Sequence, residues 1–334
     1  MAKLMTRRRA IGIFAAAAGL PLLYSSSVAN SSPSAFVWSG QALGAPAKLI
    51  LNDHDAARAH RLIELVVTEV ARLERMFSLY RDDSDIVELN RAGGLVAPEP
   101  EMLALLHVCY GFWESTGSLF DPTVQPVWEL YRDHFAKPGA DEQGPDATVL
   151  RDRLKRVGFD GVKFGSGRVA FTRPGMAITL NGVAQGFVTD RVVEILREAG
   201  VESSLVDMGE ERAIGAQQGG EPWRIGLAAT QDSGEPDAVL SIVNRAVATS
   251  SSAGFVFDQS GSFGHILHPR AGATPERYRR VSVIADNAVT ADALSTAFNL
   301  MDVASIRQVL RGYPDACVDL IDLTGSRQEL GRQA

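Results

Sequence analysis

Two oxygen-bearing side chains suggest a site for a divalent cation. Asp292 and Thr296 are four positions apart in a segment with helical periodicity, residues 288–301, so their oxygens should share one face of a helix. A carboxylate and a hydroxyl are hard but weak ligands, and they suit Mg²⁺, which takes further ligands from water and substrate phosphates. The pair also fits an ordinary helix start, where Asp292 complements the helix dipole and Thr296 packs.

Two histidines offer a second chemical feature. His265 and His268 precede Pro269 and Arg270 in a segment that we expect to be a loop following a strand. Loops on a rigid scaffold often carry function. The pair could form a two-histidine metal site, or a turn in which one histidine is functional.

The rest of the composition excludes several classes of protein. The 334 residues carry a formal net charge of −7, which argues against nucleic-acid binding, because such binding relies on Lys and Arg. The only cysteines, Cys109 and Cys317, lack metal-site spacing, and we expect either a pair or two buried free thiols. Residues 165–167 do not complete a dinucleotide-binding glycine motif. The chain contains no Walker A, HExxH or GxSxG motif.

The first 29 residues have the pattern of a signal peptide. Arg7, Arg8 and Arg9 precede a short apolar run, which ends at the small-residue sequence Ser27-Val28-Ala29. The adjacent arginines predict export by the twin-arginine route to the periplasm. An uncleaved membrane anchor is the alternative. We therefore expect the folded domain to comprise residues 30–334.

The elements that must position these residues follow from periodicity and turn signals. Predicted helices cover residues 54–77, 85–91, 100–116, 147–157, 185–199, 288–301 and 303–311. Predicted strands cover residues 35–51, 160–164, 168–172, 176–180, 203–207, 212–216, 223–228, 238–243, parts of 246–268, 281–285 and 316–322. Few βαβ units result, so the pattern predicts an α+β fold with mixed or antiparallel sheets and flanking helices.

Five sequence blocks, in order and at matching spacing, resemble those of the ApbE family of FAD:protein FMN transferases. The blocks are FSLYRDDSDIVELNR at 77–91, TGSLFDPTVQPV at 116–127, LNGVAQGFVTDR at 180–191, ATS at 248–250 with HILHPR at 265–270, and TADALSTA at 290–297. The resemblance covers residues 36–322 and implies the T-fold-related architecture of that family.

The resemblance also implies an activity, which is Mg²⁺-dependent transfer of the FMN half of FAD to a Ser or Thr hydroxyl of an acceptor flavoprotein, with release of AMP. Mg²⁺ would be held by the carbonyl of Gly182 and by Asp292 and Thr296. His265 and Asp292 would be the catalytic residues, with His265 assisting removal of the hydroxyl proton. The implied contacts to FAD are Leu43, Tyr80, Leu119, Phe120, Asp121, Thr179, Gln185 and Ile266.

Two of these residues have alternative roles. Tyr80 could stack on a flavin or adenine ring, or it could be a buried core residue. Asp121 could accept hydrogen bonds from a ring edge, or it could cap the turn before Pro122.

Four positions depart from the family pattern. Thr179 replaces an acid, Gln185 replaces a Lys or Glu, His268 replaces an Asp and Ala271 replaces a Thr. The charges lost at Thr179 and Gln185 keep open a non-catalytic FAD-binding accessory protein. A second rival is an FAD pyrophosphatase giving FMN and AMP, in which water replaces the acceptor hydroxyl at the same site.

The implied acceptor is an electron-transfer flavoprotein of the membrane or periplasm. We expect membrane contact only through that acceptor or through an uncleaved signal. The arginine-containing N-terminus makes the chain similar to the ApbE-type accessory proteins that serve nitrous oxide reductase maturation.

Overall fold

The computed structural model describes residues 34–228, 236–252 and 254–331. The predicted signal peptide at 1–29 therefore lies outside the described residues. Within them, no helix combines the length and apolar character needed to cross a membrane.

Thirteen strands are found in the described residues. They are β1 Ser34–Ala42, β2 Ala45–Asp53, β3 Gly94–Val96, β4 Val162–Gly165, β5 Arg168–Phe171, β6 Ser204–Asp207, β7 Glu211–Ile214, β8 Trp223–Leu227, β9 Ala238–Ile242, β10 Ala246–Ser250, β11 Tyr278–Ala285, β12 Cys317–Asp322 and β13 Arg327–Gly331. Eight of them form one sheet in the order β1-β2-β6-β7-β10-β11-β12-β13, with every neighbouring pair antiparallel. Smaller sheets, β3-β5-β4 and β8-β9, complete the set.

The described helices are α1 Ala56–Phe77, α2 Asp85–Ala92, α3 Pro100–Ser115, α4 Gln125–Phe135, α5 Ala147–Leu154, α6 Ala184–Glu198, α7 Ala288–Phe298 and α8 Val303–Leu310. Strands and helices in this arrangement confirm the predicted α+β class. The apolar positions of α1, spaced by three and four, are buried as expected. Gly93 ends α2 in the left-handed conformation, with φ of 71°, as the sequence predicts.

The large sheet is buried on both faces. Leu49 and Leu51 of β2 belong to the main core, where the helices pack. Ile50, between them, points to the opposite face and packs in a cluster with Trp223 and Ile225 of the β8-β9 hairpin. This alternation follows from the two-residue period of a strand. The sheet is thereby fixed between two layers, and the loops at its edge can hold a site.

The structure corrects several predicted elements. The run 35–51 is a hairpin whose turn contains Leu43, with φ of 51°, so Leu43 does not lie within a strand. Residues 176–180 form an extended loop, and within 246–268 only β10 is a strand. Helix α4 and strand β13 were not predicted. Cys109 and Cys317 are both buried and do not form a disulfide with each other, which excludes the expected pair.

Candidate active site

A cavity with about 1030 Å³ of empty space lies where α6, α7 and the loop after β10 meet. Ten predicted site residues line it, namely Leu119, Phe120, Asp121, Thr179, Gly182, Gln185, His265, Ile266, Asp292 and Thr296. The other two, Leu43 and Tyr80, line a small adjoining cavity together with Gln185 and Asn181.

Helices α6 and α7 are held together at their N-terminal ends by reciprocal hydrogen bonds. The N–H of Gly186 on α6 donates to Oδ2 of Asp292 on α7, at 3.0 Å. Asp190 on α6 accepts the N–H groups of Ala288 and Val289 at the start of α7, at 2.7 and 2.9 Å. Each carboxylate thus satisfies donors that a helix start leaves unpaired. This pairing fixes Asp292 at the cavity wall.

Asp292 is buried and its charge is costly. Burial raises the pKa of Asp292 to about 7, while the hydrogen bond from Gly186 acts in the opposite direction. A buried carboxylate of this kind is stabilised in its charged form by a bound cation. The buried position of Asp292 therefore fits a metal ligand, while its bond to Gly186 also complements the start of α6.

The neighbours of Asp292 supply further oxygen donors. In a regular helix, the N–H of Gly186 would donate to the carbonyl of Gly182, four residues earlier. Here it donates to Asp292 instead, and the carbonyl of Gly182 accepts no backbone hydrogen bond within the described residues. A Cβ atom on Gly182 would lie only 2.9 Å from Oγ1 of Thr296. The backbone can approach the hydroxyl this closely because residue 182 is glycine. A carboxylate, a hydroxyl and a carbonyl form the donor set expected for Mg²⁺.

The described part of the chain holds no group of three or more His, Cys, Asp or Glu side chains placed to bind a metal. No such cluster therefore surrounds His265 and His268 within the described residues. The oxygen set at Gly182, Asp292 and Thr296 fits a weak Mg²⁺ site that is completed by water and substrate.

Two buried polar groups in the cavity have no partner among the described residues. Nε2 of Gln185 and Oε2 of Glu210 are both inaccessible and without a hydrogen bond. Gln185 packs against Gly209, whose φ of 107° and lack of a Cβ make room for the amide. Burial and then the charge of Asp292 raise the pKa of Glu210 well above its ordinary value. Leaving buried polar groups without hydrogen bonds costs free energy. The amide of Gln185 and the carboxyl group of Glu210 are therefore suited to bind a polar ligand.

His265 lies in the loop after β10, as predicted, and its half-buried ring faces the cavity. Nδ1 is 3.1 Å from the carbonyl oxygen of Phe255. A carbonyl only accepts, so Nδ1 carries the proton and Nε2 presents a lone pair. Burial lowers the pKa of His265 below its ordinary value of 6.5, which leaves the ring neutral and able to accept a proton.

His268 has a different role. Its Nδ1 accepts the N–H groups of Arg270 and Ala271, at 3.2 and 3.3 Å, and so it holds the turn that contains Pro269. His268 does not line the cavity that contains His265. Of the two histidines, only His265 lines the candidate active site.

Tyr80 lies beside the main cavity, and 38% of its surface is exposed. It is therefore not a buried core residue, which was the alternative to a stacking role. Its ring packs against the turn after β1. The Cδ2 atom of Tyr80 is 3.7 Å from the position that a Cβ atom on Gly44 would occupy. Its hydroxyl is bonded to the side chain of Asn181. A hydrogen bond fixes this turn to helix α1, since the N–H of Leu43 donates to Oε1 of Glu74 at 2.7 Å. An aromatic face held in this way is available for stacking.

Asp121 proves to be a structural residue. Its Oδ1 accepts from the N–H and the hydroxyl of Thr123, at 2.9 and 2.5 Å. Its Oδ2 accepts from Nε1 of Trp113 and the N–H of Phe159, at 3.1 and 3.2 Å. These four bonds correspond to the capping alternative, and they occupy the oxygens that a flavin edge would need. Asp121 lines the cavity but positions the loop that carries Leu119 and Phe120.

Thr179 keeps the entrance loop in place. Its N–H donates to the carbonyl of Pro122 at 2.8 Å, and its hydroxyl accepts the N–H of Asn181 at 3.2 Å. Asn181 itself was noted in the sequence only as part of an Asn-Gly turn, yet it lines the main cavity and contacts Tyr80. Glu210 was missed altogether, because its burial between β6 and β7 has no signature in the sequence.

The fold resembles solved flavin transferases. A structure of the ApbE protein from Thermotoga maritima superposes with a TM-score of 0.77 at 27% identity, covering 88% of this chain and 96% of that one. The flavin transferase ApbE from Vibrio cholerae gives a TM-score of 0.76 at 22% identity, over 89% and 97% of the two chains, a likeness of fold.

Sequence comparison gives the same family. The ApbE family model matches residues 43–318. The FAD:protein FMN transferase of Treponema pallidum is 28% identical over 288 residues, 79% of this chain and 78% of that protein. The enzyme of that name from Klebsiella pneumoniae is 28% identical over 303 residues, 87% and 90% of the two chains. The chain belongs to the ApbE family.

Proposed function

We propose that this protein is an FAD:protein FMN transferase that attaches FMN to a Ser or Thr hydroxyl of an acceptor protein and releases AMP. The observation that carries the proposal is the convergence of Asp292, Thr296, Gly182 and His265 on one cavity beside Tyr80. Named relatives with this activity match most of the chain.

The oxygen donors of the cavity account for the pyrophosphate chemistry. Gly182, Asp292 and Thr296 are the residues that would hold Mg²⁺. When bound, this ion neutralises the charge that develops on the pyrophosphate as AMP leaves. Gly186 orients the Asp292 carboxylate through its N–H, so the ligand is positioned before substrate arrives.

His265 accounts for activation of the hydroxyl. Nδ1 is committed to the Phe255 carbonyl, so Nε2 is the atom that accepts the proton of the attacking hydroxyl. The lowered pKa of His265 keeps Nε2 unprotonated at neutral pH, as a general base requires.

The changed residues Gln185 and Thr179 remain compatible with FAD binding. The amide of Gln185 is unpartnered within the described residues and lines the cavity, so it can donate to an oxygen of the ligand. The hydroxyl of Thr179 supports the entrance turn. Neither role needs the charge found in the family pattern.

We also propose a periplasmic location and an acceptor in a periplasmic or membrane electron-transfer chain. The support is the twin-arginine pattern of residues 1–29. The link to nitrous oxide reductase maturation stays a prediction that rests on the same N-terminal pattern.

The test is co-expression with candidate acceptor flavoproteins, followed by detection of covalent flavin fluorescence on the denatured acceptor and of AMP in solution. Covalent flavin with equal AMP supports the transferase. Free FMN plus AMP without labelled acceptor indicates a pyrophosphatase. Intact FAD after prolonged incubation with Mg²⁺ indicates a binding protein.

A further inference from the structure

A second cavity, with about 1390 Å³ of empty space, adjoins the candidate active site and is rich in arginine. We call it the arginine cavity and define it by four of its lining residues, Arg91, Arg132, Arg153 and Arg156. The only acidic residue in its lining is Glu129, which accepts a hydrogen bond from Gln125 at 3.3 Å. This concentration of positive charge is unusual in a chain whose net charge is −7.

Two of the four arginines are already paired. Arg91 forms an ion pair with Glu88 at 2.5 Å, and Arg132 forms one with Asp133 at 2.9 Å. Arg132 also lies over the ring of Trp128, 5.6 Å from its centroid. Exposed ion pairs of this kind are weak, so both guanidinium groups can exchange these partners for an anionic group of a ligand.

The other two arginines lack acidic partners. Within the described residues, neither the guanidinium of Arg153 nor that of Arg156 forms an ion pair or a hydrogen bond, and both side chains are half-buried. The guanidinium of Arg156 lies across Gly175, at 2.8 Å from the position of a Cβ there. Arginine in such a setting is suited to bidentate binding of carboxylates.

The arginine cavity and the active site share part of their walls. Trp128 and Asn181 line both cavities, and Tyr80, which is bonded to Asn181, lines the second. The proposed cation ligands Gly182, Asp292 and Thr296 line only the first. The FAD phosphates thus have their place at the cation site, and the arginines remain for another anionic group that reaches the same entrance.

We propose that the arginine cavity docks an acidic segment of the acceptor protein, with Asp or Glu residues next to the Ser or Thr that receives FMN. This inference rests on the proposed transferase function. Carboxylates of the segment pair with Arg153 and Arg156, and the hydroxyl is thereby directed past Asn181 towards His265. Charge complementarity of this kind contributes specificity and orientation.

The experiment uses two fluorescein-labelled ten-residue peptides with one central Thr, flanked either by Asp and Glu or by Lys at the same positions. Their affinities for the protein are measured by fluorescence anisotropy across a salt series. The variants are Arg153→Gln/Arg156→Gln and the charge reversal Arg153→Glu/Arg156→Glu. Arg224→Glu, an exposed position on β8 outside both cavities, is the matched control.

We expect the acidic peptide to bind wild type at least tenfold more tightly than the Lys peptide, with a preference that weakens as salt rises. Both double variants should lose that preference, Arg224→Glu should keep it, and FAD affinity should change less than twofold in all of them. Restoring charge with Arg153→Lys/Arg156→Lys should recover part of the preference.

Equal binding of the two peptides by wild type overturns the proposal. So does a large loss of FAD affinity in Arg153→Gln/Arg156→Gln, since the arginines would then hold the cofactor. Peptide binding is measured without turnover. A missing preference with intact FMN transfer to an acceptor refutes the docking site alone. Absence of covalent flavin on every co-expressed acceptor, with the peptide preference intact, refutes the proposed function instead.

Discussion

Asp292 on α7 accepts the backbone N–H of Gly186 at the start of α6, with 3.0 Å between Oδ2 and N. This bond joins the two helices that form the inner wall of the site and withdraws the Gly186 N–H from the carbonyl of Gly182. One interaction therefore orients the carboxylate and leaves a carbonyl available to the same cation.

The close approach of α6 and α7 depends on glycine at 186. A Cβ there would lie 2.5 Å from the carbonyl oxygen of Ala288, which is backbone and cannot move aside. We expect Gly186→Ala to lower the free energy of unfolding by about 1–3 kcal/mol and to impair transfer, because the helices must separate. Urea unfolding with an activity assay checks this.

Gly111→Ala is the matched control, because Gly111 is also helical but has open space around it. It should stabilise the protein by up to about 1 kcal/mol, through the higher helix propensity of alanine. Equal effects of the two substitutions would contradict the proposed role of Gly186.

His265 and His268 should differ sharply in their importance for the rate. If His265 accepts the hydroxyl proton, His265→Ala should slow transfer by roughly 10² to 10⁴, with little change in FAD affinity. His268→Ala should cost much less, because that ring bonds the turn at Arg270 and Ala271. Single-turnover rates and FAD titrations of both variants measure this. A larger rate loss at His268 would show that the wrong histidine was assigned.

The pH dependence of transfer should report the low pKa of His265. The reactive form is neutral, and burial places its pKa below 6.5. The rate at saturating FAD and Mg²⁺ should therefore fall as the pH is lowered, with its midpoint below pH 6.5. A His265-dependent midpoint above 6.5, absent in His265→Ala, would contradict the burial argument.

The twin-arginine pattern gives a prediction about export. Replacing Arg7 and Arg8 with Lys should leave the full-length protein in the cytoplasm, because that pathway requires the arginine pair. Fractionation followed by immunoblotting measures the outcome. Normal periplasmic accumulation of the variant would refute this route.

Part of the site could be predicted from local spacing, because Asp292 and Thr296 share a face through the four-residue helical repeat. The role of Gly182 and the contacts to FAD were expected only from the resemblance to the ApbE family. Glu210 could not be predicted, since only the fold buries its carboxyl group and leaves Oε2 without a hydrogen bond among the described residues. The alternatives at Asp121 were likewise decided by Trp113 and Phe159, which reach it through the fold.

The fold, like the site, could be predicted only in part from the sequence. The α+β class follows from the order of elements, but the run 35–51 conceals a turn at Leu43, because a leucine with positive φ has no sequence signal. Helix α4 begins at Gln125 with Pro126 in its first turn, where proline is tolerated. Without packing information, the prolines at 122 and 126 indicate a loop.

The most direct test of the account is covalent flavin on an acceptor produced by wild type, Asp292→Ala and the surface control Glu221→Gln. Asp292→Ala removes the one charged ligand of the proposed cation site, so we expect transfer to be lost while FAD binding is weakened but retained. Glu221→Gln should match wild type, and excess chelator should abolish wild-type transfer. Wild-type turnover by Asp292→Ala, or undiminished transfer in chelator, would contradict the proposed site.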